Sequence, residues 1–145
     1  MTAPVFVDTN VLLYALDTSN PTKQAAAQMW RAELWHARRG RISCQVLQEF
    51  YVQVYRKWPA AVDDARAEVR DLLAWQPVAV TGPLIEAAWR VQDRFRISFW
   101  DALIVAAAKA ASCAHLLTED LQAGQDFDGL LTISPFRTSP ADIGF

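Results

Sequence analysis

Four acidic residues fall at four separate junctions of the chain: Asp8, Glu49, Asp101 and Asp120. Asp8 follows the apolar run Val5-Phe6-Val7 and precedes the polar turn Thr9-Asn10, while Asp120 follows His115-Leu116-Leu117-Thr118. Glu49 sits inside a helical stretch beside its apolar stripe, and Asp101 stands near the start of a stretch that is apolar almost all round. Desolvating a carboxylate is costly, so such groups are buried only when paired or bound to metal. If the fold gathers these four, a divalent cation is the simplest way to hold them. Carboxylate oxygens without histidine or thiolate favour Mg²⁺ or Mn²⁺ over zinc or copper. An ion so held can acidify a water and stabilise charge on a phosphate during in-line displacement. The chemistry implied is metal-dependent hydrolysis of a phosphate ester.

The elements that must position these acids read as strands alternating with helices. Ala3–Val7 is a short buried strand, and Asn10–Leu16 a turn or two of helix. Asn20-Pro21 starts a helix running to about Arg39, with Gly40 as its stop. Arg41–Ser43 is brief and extended. Ser43 caps a helix through Lys57, with Val46, Leu47, Phe50, Tyr51 and Val54 on one face. Ala60–Trp75 forms another helix, Val78–Val80 a strand, and Thr81 caps a helix to roughly Phe95. Ser98 caps Phe99–Ala111; His115–Thr118 and Leu130–Ile133 are further strands. With little hairpin signal, this alternation predicts an α/β fold on a mostly parallel sheet. Residues 1–136 read as one domain and residues 137–145 as a loosely held C-terminal tail.

In such sheets ligands bind beyond the carboxyl ends of the strands. Asp8 and Asp120 are predicted on that edge, and the first turn of the Asp101 helix points at it. Glu49 lies about 100° from Phe50 on its helix, bordering the core. Each acid also has an ordinary use, since Asp8 can cap the following helix and Ser98-Phe99-Trp100-Asp101 has capping-box spacing. Their coincidence on one edge weighs against that. So does Ala102-Leu103-Ile104-Val105-Ala106-Ala107-Ala108, which leaves the Asp101 helix no polar face before Lys109.

Size and composition bound the rest. The chain has 145 residues, 52% hydrophobic and 21% charged, which suits one globular domain. A formal net charge of −2 excludes a generally basic nucleic-acid binder. No apolar segment is long enough to span a membrane, and no signal peptide is indicated. Two cysteines, Cys44 and Cys113, fit a reducing cytoplasm. His36 and His115 match no zinc spacing. Five glycines include no phosphate-cradling loop. An aspartyl-nucleophile phosphatase needs an aspartate where Asn10 stands, and a receiver domain needs an acidic pair at the first strand.

Four stretches carry a resemblance to a known family: Val5-Phe6-Val7-Asp8-Thr9-Asn10-Val11-Leu12, Ser43-Cys44-Gln45-Val46-Leu47-Gln48-Glu49-Phe50, Ser98-Phe99-Trp100-Asp101-Ala102-Leu103-Ile104-Val105-Ala106-Ala107-Ala108 and Leu117-Thr118-Glu119-Asp120-Leu121-Gln122. In this order they resemble the PIN-domain ribonucleases, and among them the VapC-type toxins of bacterial toxin–antitoxin pairs, over about residues 3–136. The resemblance implies a three-layer α/β/α sandwich and Mg²⁺- or Mn²⁺-dependent cleavage of RNA. On it Asp8, Glu49 and Asp101 are the main metal-site and catalytic acids and Asp120 the fourth, with Glu119, Asp126 and Asp128 as substitutes nearby. Thr9, Asn10 and Thr118 match positions that shape the site. A homodimer and a cognate antitoxin covering the active-site groove are further implications.

Arg94 and Arg96 precede the Asp101 helix and are candidates for phosphate contacts, which position a backbone without reading sequence. Most of the six tryptophans read as packing residues, with Trp30 and Trp35 as candidates for a dimer or antitoxin face. The competing reading is a non-catalytic module of the same fold whose acidic groove docks a basic partner.

Overall fold

The computed structural model describes residues 3–145. Its elements are β1 (Val5–Val7), α1 (Thr9–Leu16), α2 (Pro21–Ala37), β2 (Gly40–Arg41), α3 (Cys44–Lys57), α4 (Val62–Leu72), α5 (Gly82–Phe95), α6 (Phe99–Ala110), β3 (His115–Leu117) and β4 (Leu131–Ile133). All four strands are parallel, in the order β2-β1-β3-β4. Alternate strand residues face opposite sides of a sheet. Val5, Phe6 and Val7 are all at most 2% exposed, so helices cover both faces and the architecture is a three-layer α/β/α sandwich.

The order of strands locates the functional edge. The chain steps from β1 outward to β2, then returns past β1 to place β3 on its other side. Its direction reverses between β1 and β3, the point where open parallel sheets leave a crevice beyond their strand ends. A parallel pair needs a connection of about a dozen residues. Residues 118–130 supply it between β3 and β4 without a helix, leaving Asp120 in a loop at that crevice.

Helix starts follow local chemistry. Asn20, Ser43, Thr81 and Ser98 each accept a hydrogen bond from a backbone N–H in the first turn of the following helix, which satisfies donors that a helix cannot pair internally. Helix α6 buries every residue from Ala102 to Ala108.

Other expectations are corrected. Val78–Val80 forms no strand: only Val78 pairs, as a single bridge to Ser43, and Val80 is exposed just before Thr81 caps α5. The stretch 60–75 is α4 flanked by short 3₁₀ turns. Helix α2 stops at Arg38 in the left-handed region (φ 56°), so Gly40 is not its stop. Gly40 lies in β2, where a Cβ would sit 2.3 Å from the Trp75 ring. Close packing is what requires glycine there.

The C-terminal residues are not loose. Trp30, fully buried, donates its indole N–H to the Thr138 carbonyl at 3.0 Å. Phe145 stands edge-on to Trp30 at 6.1 Å, and the Arg39 guanidinium lies 3.9 Å from the Phe145 ring centroid. Trp30 is therefore core and unavailable as a docking face, whereas Trp35 is exposed. Gly40→Ala should destabilise the fold by about 1–3 kcal/mol through overpacking, read as a lower urea midpoint with an unchanged m-value; an unshifted midpoint would show that Trp75 yields freely.

Candidate active site

The site is built where β1 and β3 end side by side. Asp8 leaves β1 in an extended conformation and caps α1, accepting from Thr9 N–H at 2.7 Å through Oδ1. Its Oδ2 accepts from the Thr118 hydroxyl at 2.8 Å, directly past β3, and more weakly from Asn10 Nδ2 at 3.4 Å. Thr118 Oγ1 in turn accepts from Asn10 Nδ2 and from the Asp120 N–H, both at 3.1 Å. A hydroxyl has one donor and two acceptor lone pairs, so Thr118 uses all of them. The Asn10 carbonyl oxygen closes the network by accepting from Glu119 N–H at 3.1 Å.

Helix α3 brings Glu49 to the same place. Its Oε2 accepts from the Thr9 hydroxyl at 3.0 Å, so Thr9 donates to Asp8 through its backbone and to Glu49 through its side chain. Gln45, one turn earlier on α3, donates Nε2 to Glu49 Oε1 at 3.2 Å and to the Trp100 carbonyl at 3.4 Å. That amide joins α3 to the first turn of α6, where Asp101 sits. The Asp101 N–H donates to Ser98 Oγ at 3.1 Å. Among the described residues no return bond from Ser98 N–H engages the Asp101 carboxylate, so the side chain is not used up as a cap. Gln45 had no role in the sequence reading; its i,i+4 spacing to Glu49 was the available signal. Its own Oε1 is buried without a partner among the described residues.

Asp8 is only 6% exposed. Burial raises its carboxyl from 3.8 to about 6, opposed by the Thr118 and Thr9 hydrogen bonds and reinforced by the charges of Asp120 and Glu49. Among the described residues no basic side chain is one of these influences. The substitutes for Asp120 are engaged elsewhere. Glu119 pairs with Lys23 and hydrogen-bonds Tyr14, which lower its carboxyl despite partial burial. Asp126 accepts from Gly129 N–H at 2.7 Å, and Asp128 is held by Arg94. Asp120 is the acid after β3 whose charge reaches Asp8.

The donor set is all oxygen, and it fits a hydrated Mg²⁺ or Mn²⁺. Among the described residues no three carboxylate, histidine or cysteine side chains are grouped tightly enough to ligate one ion. Mg²⁺ commonly keeps several waters and takes one or two carboxylates directly.

Arg94 is not brought to the acids. Its guanidinium is bidentate on Asp128 at 2.6 and 2.8 Å, beside Lys109, which donates to the Phe127 and Asp128 carbonyls. Lys109 lies in the last turn of α6 and Asp101 in the first, about 12 Å apart along the axis. Arg96 is exposed at the end of α5, in the left-handed region with φ 55°. Arg94 is thus drawn toward Asp128 rather than the acids, while exposed Arg96 stays a candidate for phosphate contact.

The raised Asp8 carboxyl has a sign that can be tested. The folded chain holds this proton more tightly than the unfolded chain, so stability falls as pH rises from about 4 to 6. At pH 7.5 without divalent ions the whole penalty is present, up to about 3 kcal/mol. Asp8→Asn should therefore stabilise the metal-free protein by about 1–3 kcal/mol at pH 7.5, with the gain shrinking toward pH 4. Equal destabilisation at both pH values in thermal melts would instead make capping the dominant role of Asp8.

Comparisons with known proteins agree with this architecture. Residues 5–125 match the PIN domain family. The fold is similar to a toxin–antitoxin complex from Klebsiella pneumoniae, with TM-score 0.62 and 17% identity over 90% of this chain and 97% of that one. It is also similar to VapC20 of Mycobacterium tuberculosis, described as a sarcin–ricin loop cleaving toxin, with TM-score 0.60 and 22% identity over 77% and 86%. A third similar structure is FitAB bound to a DNA fragment, with TM-score 0.71 and 18% identity over 93% and 97%. No curated protein matches. The match spans both strand ends that carry Asp8 and Asp120, as well as Glu49 and Asp101, and the chain belongs to the PIN domain family.

Proposed function

We propose that this chain is a divalent-metal-dependent endoribonuclease and the toxin of a VapBC-type pair. The observation that carries the reading is the Asp8 carboxylate, buried beside the charges of Asp120 and Glu49, with no lysine, arginine or histidine side chain among its partners in the described residues. A buried charge without a partner costs several kcal/mol, and a site that retains it is suited to an external cation. The similar structures support the biological half, since the Klebsiella protein and VapBC2 of Rickettsia felis are toxin–antitoxin proteins.

Asp8, Glu49, Asp101 and Asp120 would hold the Mg²⁺ or Mn²⁺, one or two of them directly and the others through its waters. The bound ion supplies Lewis-acid stabilisation of charge on the scissile phosphate and a more acidic water. The protein's own residues supply position. Thr118 orients Asp8 and, through the Asp120 N–H, the loop that carries Asp120. Thr9 and Gln45 fix both oxygens of Glu49. In the metal-free chain burial and the neighbouring acids raise the Asp8 carboxyl, an effect that a bound cation would offset. An RNA substrate, a cognate antitoxin over the acidic groove and a homodimer belong to this reading. A place in the cytoplasm does too, and among the described residues no helix is long and apolar enough to cross a membrane.

Purified protein should cleave a structured RNA pool with Mg²⁺ or Mn²⁺ and not with EDTA, and Asp101→Asn should abolish cleavage. Absence of cleavage with either ion would overturn the catalytic reading in favour of a binding module. Thr118→Val should reduce cleavage about 10- to 100-fold, as loss of an orienting partner does; an unchanged rate would show that the hydroxyl only supports the fold.

A further inference from the structure

Beside the acids, a cavity of about 210 Å³ is lined by Asn10, Leu13, Tyr14, Asp17, Lys57, Trp58, Glu119 and Asp120. It lies between the C-terminal ends of α1 and α3 and shares Asn10 and Asp120 with the site described above. Its size is below the roughly 300–1,000 Å³ of small-molecule sites. A partner helix, about 10 Å across, and a nucleic-acid duplex are both excluded from it. A single planar ring system is the occupant it suits.

The lining sets an aromatic ring and one lysine beside the acids Asp17, Glu119 and Asp120, which suits a single base rather than a run of phosphates. Trp58 is half-buried against the core, so its indole is held in place by packing. Aromatic rings fixed in this way stack unpaired bases. Lys57 is exposed and among the described residues makes no ion pair, leaving its ammonium for a backbone phosphate. Asp17 has one oxygen engaged, Oδ1 accepting from Ser19 N–H at 3.0 Å and from the Ser19 hydroxyl at 2.5 Å. Oδ2 has no partner among the described residues, and its charge stands at the C-terminal end of α1, where the helix dipole disfavours an anion. A carboxylate in that place recognises a base edge that donates.

We infer that this cavity is a subsite for one unpaired base of the RNA strand, next to the nucleotide that reaches the acids. The base stacks on Trp58, its adjoining phosphate meets Lys57, and Asp17 accepts from its Watson–Crick edge. Guanine presents two adjacent donors on that edge, and with Oδ1 already taken by Ser19 both converge on Asp17 Oδ2, which favours guanine over bases with a single donor there. The inference rests on the nuclease reading for the identity of the strand, but its own test is binding.

Four labelled oligouridines, each with a different single central base, are titrated by fluorescence anisotropy in EDTA, where no cleavage is expected. The guanine strand should bind tightest. Trp58→Ala should weaken it by about tenfold or more, and Trp58→Phe should recover most of the loss, which separates stacking from misfolding. Lys57→Ala, on an exposed side chain, should reduce the slope of log affinity against log salt by about 0.7. Asp17→Asn should erase the guanine preference while leaving the other strands unchanged. Equal binding of all four strands by wild type, with Trp58→Ala and Lys57→Ala indistinguishable from it, overturns the subsite and leaves the cavity to a protein ligand. These outcomes are independent of cleavage with Mg²⁺ or Mn²⁺: binding as expected without cleavage sinks the nuclease and keeps the subsite, and cleavage with unaltered binding does the reverse.

Discussion

The hydrogen bond from the Thr118 hydroxyl to Asp8 joins the ends of two neighbouring parallel strands, and most of the site depends on it. It lies at the reversal in strand order, where no connection crosses above the sheet and a crevice is left open. Because Thr118 also accepts from Asn10 and from the Asp120 backbone, one hydroxyl sets the Asp8 rotamer and the path of the loop beyond β3. Glu49 is attached to the same network through Thr9. A displaced Thr118 would loosen Asp8 and Asp120 together, while Glu49 keeps its bonds to Thr9 and Gln45.

The remaining constraint is electrostatic. Asp8 is held among apolar strand residues and two other acids, with its ionisation opposed by burial first and by like charge second. Three acids outside the cluster are neutralised by a cation. Glu119 has Lys23, Glu68 has Arg31 and Asp128 has Arg94. Asp8 differs from them and from the exposed acids in being buried beside like charges, and that burial marks the cluster more sharply than the number of acids does. Capping needs only Asp8 Oδ1 and leaves Oδ2 to the Thr118 and Asn10 side chains.

The sandwich around this edge is sealed in two ways of different origin. Strand residues such as Phe6 and Leu116, and the α6 run Ala102 to Ala108, are buried by hydrophobicity that any window of sequence reveals. Trp30 is buried because the last residues of the chain fold over it, with Thr138 taking its N–H and Phe145 its ring edge. Gly40 is glycine because Trp75, far along the chain, leaves no room for a methyl group.

What the sequence by itself determined was everything governed by neighbours along the chain. Helix starts at Asn20, Ser43, Thr81 and Ser98 are set by side chains that bond within the next turn, and strand and helix periods follow from burial on a local scale. The position of Asp8 and Asp120 past strand ends was legible for the same reason. Only the tertiary structure decided which acids share a network, because Thr9 to Glu49 and Thr118 to Asp8 are bonds across long sequence separations. It alone also disclosed Gln45 as the link between α3 and α6, drew Arg94 away to Asp128, and reduced Val78–Val80 to one bridge. Each of these rests on a partner distant in sequence, and the energy of a side chain in such a place depends on that partner rather than on its own type.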